Sequence, residues 1–155
     1  MLVETLRFGR LEVAEEALIK FPPGLPGFEH LKRFFFVPLP DNPAFVWLQA
    51  EADPAVAFLL ADPFLFFPGY SVELGDQEKA FLEVSGPEDL LVYAVVTVPP
   101  EGVRQMTANL LAPVVINRRA RLGLQVILDG SGYCTKHRLF PDRSDTVQFS
   151  RACGS

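Results

Sequence analysis

The chain has 155 residues, of which 49% are apolar and 21% are charged, and its formal net charge is −5. These values are typical of one globular domain. The longest mainly apolar stretch, residues 90–98, is too short for a membrane-spanning helix, which needs about 20 residues, so we expect no contact with a membrane.

The charge is unevenly distributed along the chain. Residues 41–101 carry eleven carboxylates and one lysine, a formal charge of −10, whereas residues 102–155 carry eight basic and three acidic side chains. An acidic segment of this kind repels phosphate, so we expect no direct binding of nucleic acid through it. The segment either solvates a surface or attracts a basic partner.

The cysteines and the N-terminus bear on location. Cys134 and Cys153 are the only cysteines, and two cysteines near one end do not form a disulfide framework. The first ten residues lack the charged-then-apolar layout of an export signal. We therefore expect a cytoplasmic protein with free thiols.

Short strands between turns dominate the first half of the chain. Alternating apolar and polar residues on both sides of Gly9 predict a hairpin. The stretch Phe21–Phe28, with three prolines and two glycines, predicts a rigid loop. Three strands are then predicted at Arg33–Val37, Phe45–Ala50 and Val56–Ala61.

The middle of the chain adds one helix. Tyr70–Leu74 alternates like a strand, and Asp76–Val84 has apolar residues at helical spacing between Gly75 and a Gly-Pro pair. Leu90–Val98 is apolar on both faces and rich in β-branched residues, which is typical of a strand buried on two sides.

The last predicted strands lead into a tail. Met106–Asn117 is predicted as a strand pair or one bent strand with Pro113 at a bulge or edge, and Leu124–Leu128 as the final strand. These patterns predict an all-β fold, a single compact barrel-like domain of short antiparallel strands with one or two short helices. We assign residues 1–140 to this domain and 141–155 to a flexible tail.

Catalytic and metal-binding patterns are weak. His30 has no ligand partner at metal spacing, and Cys134 with His137 supplies too few ligands for a closed zinc site. Ser131, His137 and Asp142 are the residue types of a hydrolase triad, but the sequence around Ser131 lacks a nucleophile elbow. We therefore expect a binding protein without cofactor or metal, and not an enzyme.

The stretch DPFLFFPGY, residues 62–70, places four large apolar residues in a row between two prolines. An extended conformation would turn Phe64 and Phe66 to one face, and a helical turn would bring Phe64 and Phe67 together. We expect Phe67 or Tyr70 to be partly exposed in an apolar patch.

Several long motifs occur in an order that resembles the FliW family of bacterial flagellar assembly factors. They are FPPGLPGFE at 21–29, WLQAEADPAVAF at 47–58, DPFLFFPGY at 62–70, VYAVVTVP at 92–99, MTANLLAPVVIN at 106–117, GLQVIL at 123–128 and YCTKHRLF at 133–140. Together they cover nearly the whole chain up to about Phe140.

The resemblance implies a barrel-like β domain without enzymatic activity. It implies chaperone-like binding of newly made flagellin in the cytoplasm. It also implies binding of CsrA, a small basic dimer that represses translation of flagellin mRNA. Secretion of flagellin would free the protein to capture CsrA, and the antagonism would be allosteric, away from the RNA site.

Eight side chains are candidates for partner binding on the grounds of charge, apolar character or adaptability. They are Phe64, Phe67, Tyr70, Glu73, Glu78, Glu83, Met106 and Asn109. Asn109 and Asn117 have a competing explanation, since asparagines flanking apolar runs often bond the backbone. An alternative function is that of a small-ligand-binding β-barrel or a minor hydrolase, for which an open, polar-lined interior would be the sign.

Overall fold

The structure is a computed structural model that describes residues 1–140. The strands of this range are β1 (Leu2–Thr5), β2 (Gly9–Glu12), β3 (Ile19–Lys20), β4 (Arg33–Pro38), β5 (Phe45–Ala50), β6 (Ala57–Ala61), β7 (Leu90–Thr97), β8 (Thr107–Ala108), β9 (Val114–Asn117), β10 (Leu122–Gln125) and β11 (His137–Arg138). The α-helices are α1 (Pro63–Phe66) and α2 (Asp76–Phe81), and 3-10 turns lie at Glu15–Ala17, Pro87–Asp89 and Val103–Gln105.

Seven strands close into a barrel in the order β3, β4, β5, β6, β7, β9 and β10. Strand β7 takes part in two sides of the barrel, since it pairs with β6 through its second half and with β9 through its first. The pairs are antiparallel except β3 with β10, which is parallel and closes the ring. The predicted all-β, barrel-like domain with short helices is confirmed.

The interior of the barrel is filled by apolar side chains from alternate positions of its strands. Even-numbered residues of β4, β5 and β6 point inward with Val114 and Ile116 of β9, because successive side chains of a strand face opposite ways. The rings of Phe21 and Phe34 meet edge to face at 5.3 Å in this cluster. A polar-lined interior, which the small-ligand alternative requires, is the opposite of this packing.

A second apolar cluster lies on the outside of the wall formed by β6, β7, β9 and β10. Residues 62–84, which we call the cover segment, pack against it through Phe67, Tyr70 and Leu82, all of them buried. Strand β7 contributes Ala94 and Val96 to this outer cluster and packs Val95 against the interior one. Its two-sided apolar pattern is thereby explained.

The N-terminal hairpin forms a third layer outside β4. Strands β1 and β2 pair only with each other among the described residues, and Val3, Val13 and Leu18 pack on Phe35. The guanidinium carbon of Arg7 lies 4.1 Å from the centre of the Trp47 ring, a cation–π contact that covers the outer side of β5.

The predicted strand at Tyr70–Leu74 is wrong. The stretch is irregular, and Val72 and Leu74 pack on the outer cluster without a ladder partner. Alternation was therefore a sign of one buried face and not of strand pairing. The Tyr133 hydroxyl accepts a hydrogen bond from the Ser71 N–H at 3.2 Å, in place of a neighbouring strand.

Helix α2 starts at the predicted residue but ends at Phe81, three residues before Val84. Glu83 adopts a left-handed φ of 56°, and the Val84 N–H donates to the Lys79 carbonyl at 3.0 Å. This is a Schellman motif, which closes the last carbonyls and stops the helix. The apolar spacing continued to Val84 because that residue packs on the outer cluster after the helix has ended.

The C-terminal strands differ from prediction at their ends. Met106–Asn117 divides into β8 and β9, which pair with different parts of β7: β8 with its last two residues and β9 with its first four. The final barrel strand β10 begins two residues before Leu124 and stops at Gln125, where its partner strand gives way to Pro113, a residue without an N–H. The predicted tail, 141–155, lies outside the described residues, and so the division at residue 140 stays a prediction.

Candidate protein-docking surface

The stretch DPFLFFPGY forms a single capped helical turn. The Asp62 carboxylate accepts the Phe64 N–H at 3.0 Å, and Pro63 occupies the first turn, where a missing N–H costs nothing. The Phe67 N–H donates to the Pro63 carbonyl at 2.8 Å and closes the turn. The helical alternative is observed for residues 63–66, but Phe64 and Phe67 do not come together, because Phe67 is the C-cap with φ −134° and ψ 81°, outside the helical range.

The prediction that Phe67 or Tyr70 is partly exposed is wrong. Phe67 is 7% exposed and Tyr70 is 4% exposed, because both turn toward the outer cluster. Phe64 and Leu65 point away from it instead and are 45% and 64% exposed. The stretch therefore does expose apolar side chains, but they are Phe64 and Leu65 and not Phe67 or Tyr70.

We call the exposed side chains Phe64, Leu65 and Phe140 the α1 patch. Phe66, half-buried, links its parts, since its ring meets that of Phe140 edge to face at 5.8 Å. Sequence reasoning missed Leu65 and Phe140. The Asp-Pro pair at 62–63 was the signal for Leu65, because an N-cap followed by proline starts a helical turn.

A row of aromatic rings in tilted and edge-to-face contact supports the patch from below. The Phe64 ring lies 5.8 Å from the Tyr70 ring, which in turn meets the Tyr133 ring at 4.7 Å. The Tyr70 hydroxyl donates to the buried Leu110 carbonyl at 2.8 Å. Burial raises the pKa of Tyr70, so the phenol remains a donor and holds the ring in place.

Three acidic candidates occupy different settings on the cover segment. Glu73 and Glu83 are exposed, as is Asp76, which the sequence reading did not single out. Glu78 is half-buried, and its carboxylate accepts the Gly75 N–H at 2.9 Å, which caps α2. Glu73, Asp76 and Glu83 form the acidic rim of the cover segment, whereas Glu78 has a structural role.

Met106 and Asn109 lie below the surface or bond the backbone. Met106 is buried in the outer cluster. The side-chain Oδ1 of Asn109 accepts the Ala112 N–H at 3.0 Å. Partner binding by these two residues stays a prediction. The backbone-bonding explanation fits Asn117 as well, which is buried and bonds four backbone groups.

The residues that directly follow the cover segment anchor it to the barrel by polar contacts. The Asp89 carboxylate accepts N–H groups of Ser85 and Gly86 at 3.0 and 3.4 Å and lies 3.5 Å from the Arg119 guanidinium. These bonds and the nearby cation hold the pKa of Asp89 below its usual value. The segment that carries the patch and the rim is thus held at its far end.

The Cys134–His137 pair is part of the packing beneath the patch. The Cys134 N–H donates to His137 Nε2 at 3.0 Å, and burial lowers the pKa of His137. Cys134 is disulfide-bonded, and the free-thiol prediction is wrong for it. Cys153 and Asp142 lie outside the described residues.

Residues 1–140 lack two further features, a metal cluster and a membrane-spanning helix. Within that range no cluster of three or more His, Cys, Asp or Glu side chains is arranged to hold a metal ion. The helices of the same range are too short to cross a bilayer.

Comparison with known proteins places this geometry in a family. The model of the family described as FliW protein matches residues 2–139. The chain belongs to the FliW family.

Family members match along nearly their whole length. A flagellar assembly factor FliW from Moorella thermoacetica is 57% identical over 142 residues, which are 92% of this chain and 90% of that protein. One from Geobacillus kaustophilus is 43% identical over 143 residues, 92% of this chain and 98% of that protein. A crystal structure of the flagellar assembly factor FliW superposes with a TM-score of 0.86 at 38% identity and covers 92% of this chain and 99% of the other. The FliW relatives are named for assembly and not for a reaction.

Proposed function

We propose that this protein is a non-enzymatic flagellar assembly factor. One observation carries the proposal, the 57% identity to a flagellar assembly factor FliW over 92% of the chain. The described surface fits protein binding, because exposed apolar side chains beside carboxylates are suited to partner recognition.

We further propose that the protein acts in the cytoplasm on two partners. It binds newly made flagellin in a chaperone-like way, and it binds a CsrA-type translational regulator. Capture of the regulator lifts its repression of flagellin mRNA by an allosteric route that leaves the RNA groove open. When flagellin is secreted, the protein is free to bind the regulator again. Synthesis of flagellin is thereby coupled to its export.

The acidic rim supports the second partner. Glu73, Asp76 and Glu83 are exposed on one segment whose only basic residue is Lys79. An acidic surface raises the rate of encounter with a basic protein and opposes the approach of RNA. The rim is therefore expected to steer the CsrA-type regulator toward the cover segment.

A charge-reversal titration tests this proposal. Glu73→Lys with Glu83→Lys is expected to lower the affinity for the CsrA-type regulator about tenfold, mainly through the association rate, because two rim charges change sign. Wild-type binding should weaken as salt rises, since exposed charges are screened. Calorimetry and stopped-flow mixing measure the two effects.

The control is Glu15→Lys with Glu16→Lys, which makes the same charge change at exposed sites outside the cover segment. Glu78 is left unchanged because its carboxylate caps α2. Wild-type protein that binds neither flagellin nor the regulator would refute the proposed function. An affinity and association rate for the regulator that change neither with salt nor with the charge reversal would refute the role of the rim.

A further inference from the structure

We propose that the α1 patch is the docking site for an amphipathic helix whose apolar stripe packs on Phe64 and Leu65. Its basic border would face the acidic rim. This inference rests on the proposed function and assigns the helix to flagellin, leaving the CsrA-type regulator to the rim.

The first support is that the exposed apolar side chains are not required by the core. Phe66 and Phe67 of the same turn pack on the outer cluster, and Phe67 is buried there. Phe64 and Leu65 point the other way, and a third exposed apolar side chain, Phe140, contacts the ring of Phe66 in the same turn. Contiguous exposed aromatic and aliphatic groups mark a surface that binds another molecule.

The second support is the rigidity of the patch. The Asp62 cap and the Phe67–Pro63 backbone bond fix the turn, and the ring of Phe64 rests on Tyr70. Tyr70 is in turn tied to the Leu110 carbonyl. A pre-organised aromatic anchor loses little entropy when a partner binds, which is typical of residues that dominate binding energy.

The third support is charge, which complements a basic border on the docked helix. Residues 63–72 contain no charged side chain, and Glu73 and Asp76 follow them. Glu73 lies three residues after Tyr70, so its Cα is within about 10 Å of that of Tyr70 even in an extended chain. A neutral patch bordered by carboxylates complements an apolar helix stripe bordered by lysine or arginine.

The test uses the full-length protein and monomeric flagellin from the same organism. Phe64→Ser with Leu65→Ser should lower the affinity for flagellin by about thirtyfold or more, the effect expected when a binding hot spot is lost. The same variant should bind the CsrA-type regulator within about twofold of wild type, because the rim is intact.

Leu6→Ser is the matched control, since Leu6 is 77% exposed and lies in the N-terminal hairpin turn. Thermal unfolding of all variants shows whether the fold is kept, as expected for exposed positions. Charge reversal at Glu73 and Glu83 should lower the affinity for both partners. The patch variant, in contrast, should lose affinity for flagellin alone.

Each remaining outcome has a defined meaning. If wild type binds flagellin and the patch variant binds it equally well, the inference is wrong while the proposed function stands. If wild type binds neither partner, the proposed function itself fails. Equal loss of both partners in the patch variant overturns the assignment to flagellin. A wild-type dimer that the patch substitutions convert to a monomer shows that a second copy is the occupant and overturns it too.

Discussion

A Gly123→Ala variant should be less stable than the wild type by about 3 kcal/mol or more, or should fail to fold. Gly123 is buried in β10. A Cβ there would lie 2.4 Å from two carbons of the Phe21 ring, Cε2 and Cζ. Such a separation is far below van der Waals contact, so the ring or the strand must move.

The ring has little room to move. Phe21 is fully buried and packs edge to face on Phe34, and its N–H donates to the Lys32 carbonyl at 2.8 Å. A shift would disturb both the loop at 21–28 and the parallel contact of β3 with β10. The free energy of unfolding of a domain is only about 5–15 kcal/mol, so this one methyl group can be enough to prevent the barrel from closing.

Urea unfolding followed by circular dichroism measures the loss. Gly69→Ala is the control, since a Cβ at Gly69 would meet no atom within 4 Å. A second Phe21→Leu substitution should recover part of the stability lost in Gly123→Ala, because it shortens the obstructing side chain. An unfolding midpoint of Gly123→Ala equal to that of Gly69→Ala would refute the steric argument.

An Asn117→Ala variant should lose about 2–4 kcal/mol of stability, because one buried and three partly buried backbone groups would lose their partner. The Asn117 amide donates to the carbonyls of Leu82 and Glu83 at 2.7 and 3.1 Å. Its oxygen accepts the N–H groups of Arg119 and Ala120 at 2.9 and 3.0 Å. One side chain therefore shapes the β9–β10 turn and ties the end of α2 to the barrel.

Hydrogen exchange distinguishes this local role from general destabilisation. Amides near Leu82 should lose protection in Asn117→Ala more than those of β4 and β5, since the cover segment loses its anchor first. Asn109→Ala is the control, because Asn109 makes one such bond to a partly buried N–H. A stability loss in Asn117→Ala no larger than in Asn109→Ala would contradict the prediction.

The sequence predicted best the barrel strands that are mainly apolar runs bounded by turn residues. Strand β5 was predicted at its observed ends, and β4 was predicted one residue short of its observed end. Strands β3 and β11 have two residues each, too few to show a period, and they form because neighbouring strands offer free backbone groups. Their existence depends on tertiary pairing and could not be read from local pattern.

The candidate site was only partly predictable for a similar reason. The carboxylates of Glu73 and Glu83 are exposed as their charge suggests. Phe64 and Phe67 are chemically identical, however, and what separates them is the non-helical C-cap conformation of Phe67, whose ring packs in the outer cluster. Burial of Met106 has no local signal either, since it depends on how the outer cluster packs.

Phe64 and Leu65 of the patch lie on the same cover segment as the rim, which has a consequence for the two partners. A helix on Phe64 and Leu65 would occupy the space beside Glu73 and its neighbouring carboxylates. Binding of flagellin should therefore oppose binding of the CsrA-type regulator, and the opposition must be reciprocal. Such exchange is what the proposed coupling of synthesis to export requires.

Competition between the two partners is the most direct measurement of the proposed function. Flagellin added to a preformed complex of this protein with the CsrA-type regulator should displace the regulator, and sedimentation velocity should detect two binary complexes. The Phe64→Ser, Leu65→Ser variant should resist the displacement while it still binds the regulator. A stable ternary complex, with each affinity unchanged by the other partner, would contradict the proposal.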